Sequence, residues 1–247
     1  MSIRNIKLTI EYDGKDFNGW QKQPNKLNIQ GNIEDAIQKV TGEKVELYAS
    51  GRTDAGVHAL GQVANFKTET NIPIEKIATA INSQLKTSIR VQKAEEVDER
   101  FHSRYNCKRK TYRYIINNNE QASAIYRNME YHFPKKLNIE KMKKAVKSFV
   151  GTYDFSAFKS SGTSNKSSIR TIYNAEIKEE NGRIAIELEG NGFLYNMVRI
   201  IAGTLLEVGM ENVEPEEILE IINSKDRKRA GRTLPPHGLY LVKVNYE

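Results

Sequence analysis

Cysteine is almost missing: Cys107 stands alone in 247 residues. An internal disulfide is therefore excluded, and a lone thiol in a basic stretch with no evident histidine partner is a weak nucleophile candidate. Histidine is scarce as well. His58, His102, His132 and His237 are scattered without metal-ligand spacing such as H-x-x-x-H, so no metal site is expected. The phosphate-loop, dinucleotide, zinc-protease and nucleophile-elbow fingerprints are all lacking, which leaves no support for a bound cofactor. Asp13-Gly-Lys-Asp16-Phe-Asn18-Gly19 faintly suggests a calcium loop, but Pro24 stands where the bidentate Glu would sit.

Long apolar runs are missing too. The best candidate, Phe193 to Val208, is interrupted by Asn196, Arg199, Gly203 and Glu207 and falls short of the roughly 20 residues a membrane span needs. The opening MSIRNIKLTIEYDG alternates like a strand and has no signal-peptide apolar block. The expectation is a soluble, cytoplasmic protein. Six prolines and 16 glycines are too few for a collagen-like or low-complexity chain, and 38% hydrophobic residues suffice for a sizeable core.

Positive charge is in excess. Thirty-eight Lys and Arg against 31 Asp and Glu give +7, which favours polyanionic partners through phosphate contacts. No basic tail carries it, so local clusters must. One is Arg100-Phe-His-Ser-Arg104-Tyr-Asn-Cys-Lys108-Arg109-Lys110, where charges interleave with Phe101 and Tyr105, a composition that can hold phosphates and stack bases. Another is Lys225-Asp-Arg227-Lys228-Arg229-Ala-Gly-Arg232. Either run could equally be a solvated face.

Hydrophobic periodicity switches repeatedly between 2 and 3.6. Ile6, Leu8, Ile10 and Tyr12 alternate as a half-buried strand, whereas Ile29, Ile33, Ile37 and Val40 recur at helical spacing before a stop at Gly42. Strands are expected at 45–50, 62–67 and 89–97, with a helix from Pro73 through Leu85 between the last two. A second half repeats this loosely. A strand at 111–117 precedes a helix through Ile139, Met142, Val146 and Phe149 that stops at Gly151, then strands at 154–158, 172–178 and 183–189. A buried helix over 193–208, a short helix opened by Pro215 and a closing strand LYLVKVNY follow. Lys159–Ser168 reads as a loop, and its Asn165 sequon carries no meaning in a protein that is not secreted. Without a βαβα beat, the pattern favours an α+β fold of mainly antiparallel sheets with helices on one face. Residues 1–105 are expected to form one half and 106–247 the other.

Ala49-Ser-Gly-Arg52-Thr-Asp54-Ala-Gly56-Val-His58-Ala stands out. It joins two strands, which puts Asp54 on a connection; Gly51 and Gly56 allow positive φ, and Thr53 and Asp54 are able to shape the turn. A merely structural turn is one reading. The string, however, resembles the catalytic motif of the tRNA pseudouridine synthase A family. Further segments resemble that family in order along nearly the whole chain: EYDGKDFNGWQKQ near the start, Lys110-Thr-Tyr112-Arg-Tyr114-Ile, Gly192-Phe-Leu-Tyr-Asn-Met-Val-Arg199 and His237-Gly-Leu239-Tyr.

The resemblance implies an RNA-modifying isomerase without cofactor or metal, with its active site in a cleft between two similar halves. Turning uridine into pseudouridine breaks the bond from C1′ to N1 and rejoins the base through C5, which calls for a carboxylate close to the ribose. By resemblance Asp54 is that carboxylate, either attacking C1′ or taking a proton from C2′. Arg199, costly in an apolar helix unless paired, would form an ion pair with it. Tyr112 would face the target base and Leu239 would pack on the other side. Arg52 would fill the space the base leaves or hold a flanking phosphate. Arg104, Lys108, Arg109 and Lys110 would bind RNA. The family further implies uridines 38 to 40 of the anticodon arm as targets and a homodimer as the working unit. The alternatives are a tRNA-binding protein without catalysis, a synthase with another target position, or a nucleosidase acting on free nucleosides.

Overall fold

The protein is described from a computed structural model, over residues 3–162 and 167–247. The middle of the Lys159–Ser168 segment, with Asn165, lies outside the described residues. The chain is α+β and divides into two units, Met1–Lys108 with Tyr240–Glu247, and Arg109–Leu239.

In the first unit β1 (Arg4–Tyr12) is flanked by β4 (Ile89–Val97) and β3 (His58–Thr68), both antiparallel to it. Ile6, Leu8, Ile10 and Tyr12 are buried on one face, as their alternation requires. The other edge of β3 carries β2 (Tyr48–Ala49) antiparallel at Asn65 and Ala64, and β10 (Leu239–Asn245) parallel at His58 and Ala59. Helix α1 (Ile29–Thr41) and helix α2 (Ile74–Gln84) bring Ile33, Ile37, Ile77 and Ile81 into the core. Asn28 caps α1 through a 2.8 Å bond from Gly31 N, and Gly42 ends it in the left-handed conformation, φ +77°.

In the second unit the strands run β5 (Arg109–Asn117), β9 (Arg183–Gly190), β8 (Ile169–Glu180) and β7 (Gly151–Asp154), each antiparallel to the next. Two-residue β6 (Tyr131–His132) lies parallel on the end of β5. Helices α3 (Ile139–Lys147), α4 (Met197–Gly209) and α5 (Glu217–Ser224) complete it. Ile184, Ile186 and Leu188 share the buried face of β9, and α4 is buried along nearly its whole length.

Three expected elements shift. The strand expected at 45–50 forms only at Tyr48–Ala49. The one expected at 154–158 forms earlier, at Gly151–Asp154, because Asp154 accepts bonds from Ser156 N and Oγ and turns the chain into a 3-10 turn. Helix α4 starts at Met197 instead of Phe193, since Asn196 is left-handed at φ +60°.

Candidate active site

The connection from β2 to β3 is pinned along its length by backbone and side-chain bonds. Ser50 N donates to Val63 O at 2.8 Å, Ser50 Oγ to Gln62 Oε1 at 2.7 Å, and Gln62 Nε2 to Gly51 O at 2.9 Å. Thr53 is held from both sides: its hydroxyl meets Tyr12 OH at 2.7 Å and its carbonyl accepts from Trp20 N at 3.0 Å. Burial pushes the Tyr12 phenol well above its ordinary range, so the hydroxyl stays protonated. Gly56 N donates to Phe17 O, and Val57 N to Asp54 O, closing the turn. Of the two glycines in the string, Gly56 is left-handed, φ +76°, and Gly51 is not.

Gly14 supports the loop from below. A Cβ there would lie 1.9 Å from Val57 O, so no other residue fits with this backbone. Gly14 N lies 3.0 Å from His58 Nδ1, which is also 3.1 Å from Asp13 Oδ1, and the imidazole stacks on Tyr240 at 4.9 Å. Asp13 and Gly14 thus buttress the loop. Above this support Arg52 is exposed and Asp54 half-buried.

In the second unit Tyr112 and Tyr114 share a face of β5. Tyr112 is 9% exposed and meets Phe193 edge-on at 5.1 Å. Arg199, on the first turn of α4, does not simply reach for water: Nη1 donates to Asn196 Oδ1 at 2.7 Å and Nε to Leu234 O at 2.6 Å. Leu234 N donates back to Arg199 O, and Tyr114 OH donates to Pro235 O at 2.8 Å. Gly238 packs so closely on Tyr114 that a Cβ would lie 2.8 Å from Cζ. The strap from Leu234 to buried Leu239 is therefore fixed by Arg199 and Tyr114.

The structure thus gathers Arg52 and Asp54 on one pinned loop of the first unit, and Tyr112, Arg199 and the Leu239 strap in the second. The basic clusters differ in character. Arg104, Lys108 and Arg109 are exposed and Lys110 half-buried; Arg109 pairs with Glu189 at 3.0 Å and lies 4.4 Å over Tyr173. In the second cluster Arg227 donates to Ala230 O, Gly231 O and Thr233 Oγ1, Lys225 pairs with Asp154 and Arg229 with Glu220. Arg227 holds its own loop together, whereas Lys225 and Arg229 tie the run to neighbouring elements. Sequence reasoning missed the positioning roles of Tyr12, Gln62, Asn196 and Leu234, whose partners lie up to 41 residues away for Tyr12 and 35 for Leu234. Among the described residues no three His, Cys, Asp or Glu side chains gather as a metal ion would require, and no helix is long and apolar enough to cross a membrane.

Comparison with known proteins agrees with the motifs. The family described as tRNA pseudouridine synthase matches residues 8–106 and 145–247. Proteins named tRNA pseudouridine synthase A from Caldicellulosiruptor saccharolyticus and Acetivibrio thermocellus are 56% and 52% identical over 99% of this chain and 100% of their own. One named tRNA pseudouridine synthase A 2 from Clostridium perfringens is 52% identical with the same coverage. Among solved structures, a Cbf5-Nop10-Gar1 complex aligns over 96% of this chain and 56% of its own at 11% identity, with a TM-score of 0.32.

Proposed function

The chain belongs to the tRNA pseudouridine synthase A family, isomerases that turn uridine into pseudouridine in tRNA, and from that premise we propose that Asp54 is its catalytic carboxylate. One observation carries the assignment: the loop that presents Asp54 is pinned by Tyr12, Phe17, Trp20 and Gln62. A carboxylate presented for chemistry needs such a preorganised mount.

In the proposed reaction Asp54 acts at the ribose, either on C1′ or on the C2′ proton, while the bond from C1′ to N1 breaks. The base turns, C1′ bonds to C5, C5 gives up its hydrogen and N1 gains one, so atoms balance without an external reagent. Arg199 is assigned to keep Asp54 ionised, since desolvation alone would raise a carboxylate's pKa. Tyr112 is assigned to the base, its ring for stacking and its hydroxyl for the C5 proton, with Leu239 packing opposite. Arg52 takes the vacated place in the stack or the flanking phosphate, which offsets part of the few kcal/mol that unstacking costs. Arg104, Lys108, Arg109 and Lys110 bind the backbone.

The targets proposed are uridines 38 to 40 of the anticodon arm, acted on by a cytoplasmic homodimer. Mapping pseudouridine in unmodified tRNA after incubation with the pure protein tests the positions. New pseudouridine at 38 to 40 is expected; formation only elsewhere would overturn the target while leaving the chemistry. Sedimentation of the free protein tests the dimer.

A further inference from the structure

The sequence pairs Phe101 with Tyr105 as aromatic partners for RNA, but the fold separates them. Phe101 packs inward on Tyr246 at 4.9 Å, with Lys7 5.9 Å from its ring. Tyr105 instead ends a ladder of three rings. Tyr48, on β2 six residues before Asp54, meets His102 at 5.0 Å, and His102 meets Tyr105 at 4.3 Å. Tyr105 is 77% exposed and Tyr48 38%.

The segment carrying the ladder is not a loose loop. Buried Ser103 gives both its N and its Oγ to Asn65 Oδ1, at 2.9 and 2.8 Å, and its carbonyl accepts from Tyr246 OH at 2.9 Å. Asn5 Nδ2 holds Phe101 O at 2.9 Å. Asn106 Oδ1 accepts from His102 N, and Arg104 N donates to His102 Nδ1 at 3.1 Å, fixing the ring of the middle rung. A tyrosine that exposed on a segment that rigid loses little entropy on meeting a flat partner. The cations are already present: the Arg104 guanidinium lies 5.9 Å from the Tyr105 ring, and Lys108 is exposed nearby in sequence.

We propose that the Tyr48–His102–Tyr105 ladder is a stacking platform for an unpaired base of the bound RNA, with Tyr105 as the contacting rung and Arg104 holding the adjoining phosphate. The occupant is RNA because an aromatic face flanked by arginine suits a nucleotide, which offers a π-face and a phosphate together. The inference rests on the tRNA reading above and adds a subsite apart from Asp54.

The test uses the full-length protein carrying Tyr105→Ala, Tyr105→Phe or Tyr105→Trp. With Ala, KM for tRNA and the Kd are expected to rise roughly 5- to 30-fold, in the range for losing one base–aromatic stack, with kcat kept. Phe should restore both, and the salt slope of binding should stay at the wild-type value because no charge is removed. The only native tryptophan, Trp20, is buried, so a tryptophan at 105 reports directly, and its fluorescence should be quenched by tRNA. Unchanged KM and Kd in Tyr105→Ala, or no quenching in Tyr105→Trp, would overturn the platform. Altered sedimentation at unchanged RNA affinity would assign the ladder to a protein contact and overturn it equally. Failure of wild type to form pseudouridine is a separate result that strikes the parent reading, because the platform is judged on RNA binding.

Discussion

A methyl group added at Gly14 would lie 1.9 Å from the Val57 carbonyl oxygen, inside the loop that carries Asp54. Gly14→Ala must therefore displace backbone, and overpacking of this kind costs about 1–3 kcal/mol. The expected outcome is a Tm lower by several degrees, with isomerisation falling further than stability alone explains. Gly42→Ala is the control: it meets nothing within 4 Å, and its cost is confined to the left-handed conformation, φ +77°, about 1–2 kcal/mol. Tyr12→Phe removes the hydroxyl partner of buried Thr53 and should cost about 1–3 kcal/mol for the group left unsatisfied. Urea denaturation checks both. A Tyr12→Phe protein as stable and active as wild type would mean that Gln62 and Trp20 hold the loop unaided.

Regular elements were legible where hydrophobic spacing and local caps agree. Strand β1 and helix α1 follow from the alternation of Ile6 to Tyr12 and from the helical spacing of Ile29 to Val40 with its stop at Gly42, patterns carried by the segments' own residues. Strand β2 was expected to be longer, over 45–50, and the two-residue β6 was not expected at all, since pairing to a distant strand sets their extent, not their own composition. The motif residues Asp54, Tyr112 and Arg199 stood out by type and order, but bonds that fix their surroundings run to Tyr12 and Leu234, which no spacing rule ties to them, as well as to Asn196 three residues before Arg199. Arg199 shows what that adds. Arg199→Lys keeps the charge, but a single ammonium cannot reproduce the fork to Leu234 O and Asn196 Oδ1. Isomerisation is expected to fall at least about tenfold, with faster hydrogen exchange in the strap from Leu234 to Leu239. Normal rates with unchanged exchange would show that Arg199 contributes charge alone.

At the scale of the whole molecule the basic clusters behind the +7 balance differ, with Lys225, Arg227 and Arg229 engaged in bonds to the protein itself and the 104–110 run more exposed. Replacing Arg104, Lys108, Arg109 and Lys110 with Ala should flatten the salt dependence of tRNA binding by about 0.7–0.9 in the log–log slope for each phosphate no longer neutralised. Arg109 should contribute less than exposed Lys108, because Glu189 already pairs with it. A slope equal to that of wild type would place the RNA path elsewhere. The central claim, that Asp54 drives the isomerisation, meets its most direct test in tritium release from C5-labelled uridine in tRNA by Asp54→Asn protein. Asn shares the turn preferences of Asp but lacks the negative charge and the nucleophilic oxygen. Tritium release is predicted to become undetectable while tRNA affinity and Tm stay close to wild type, whereas substantial release by the folded variant would contradict the account.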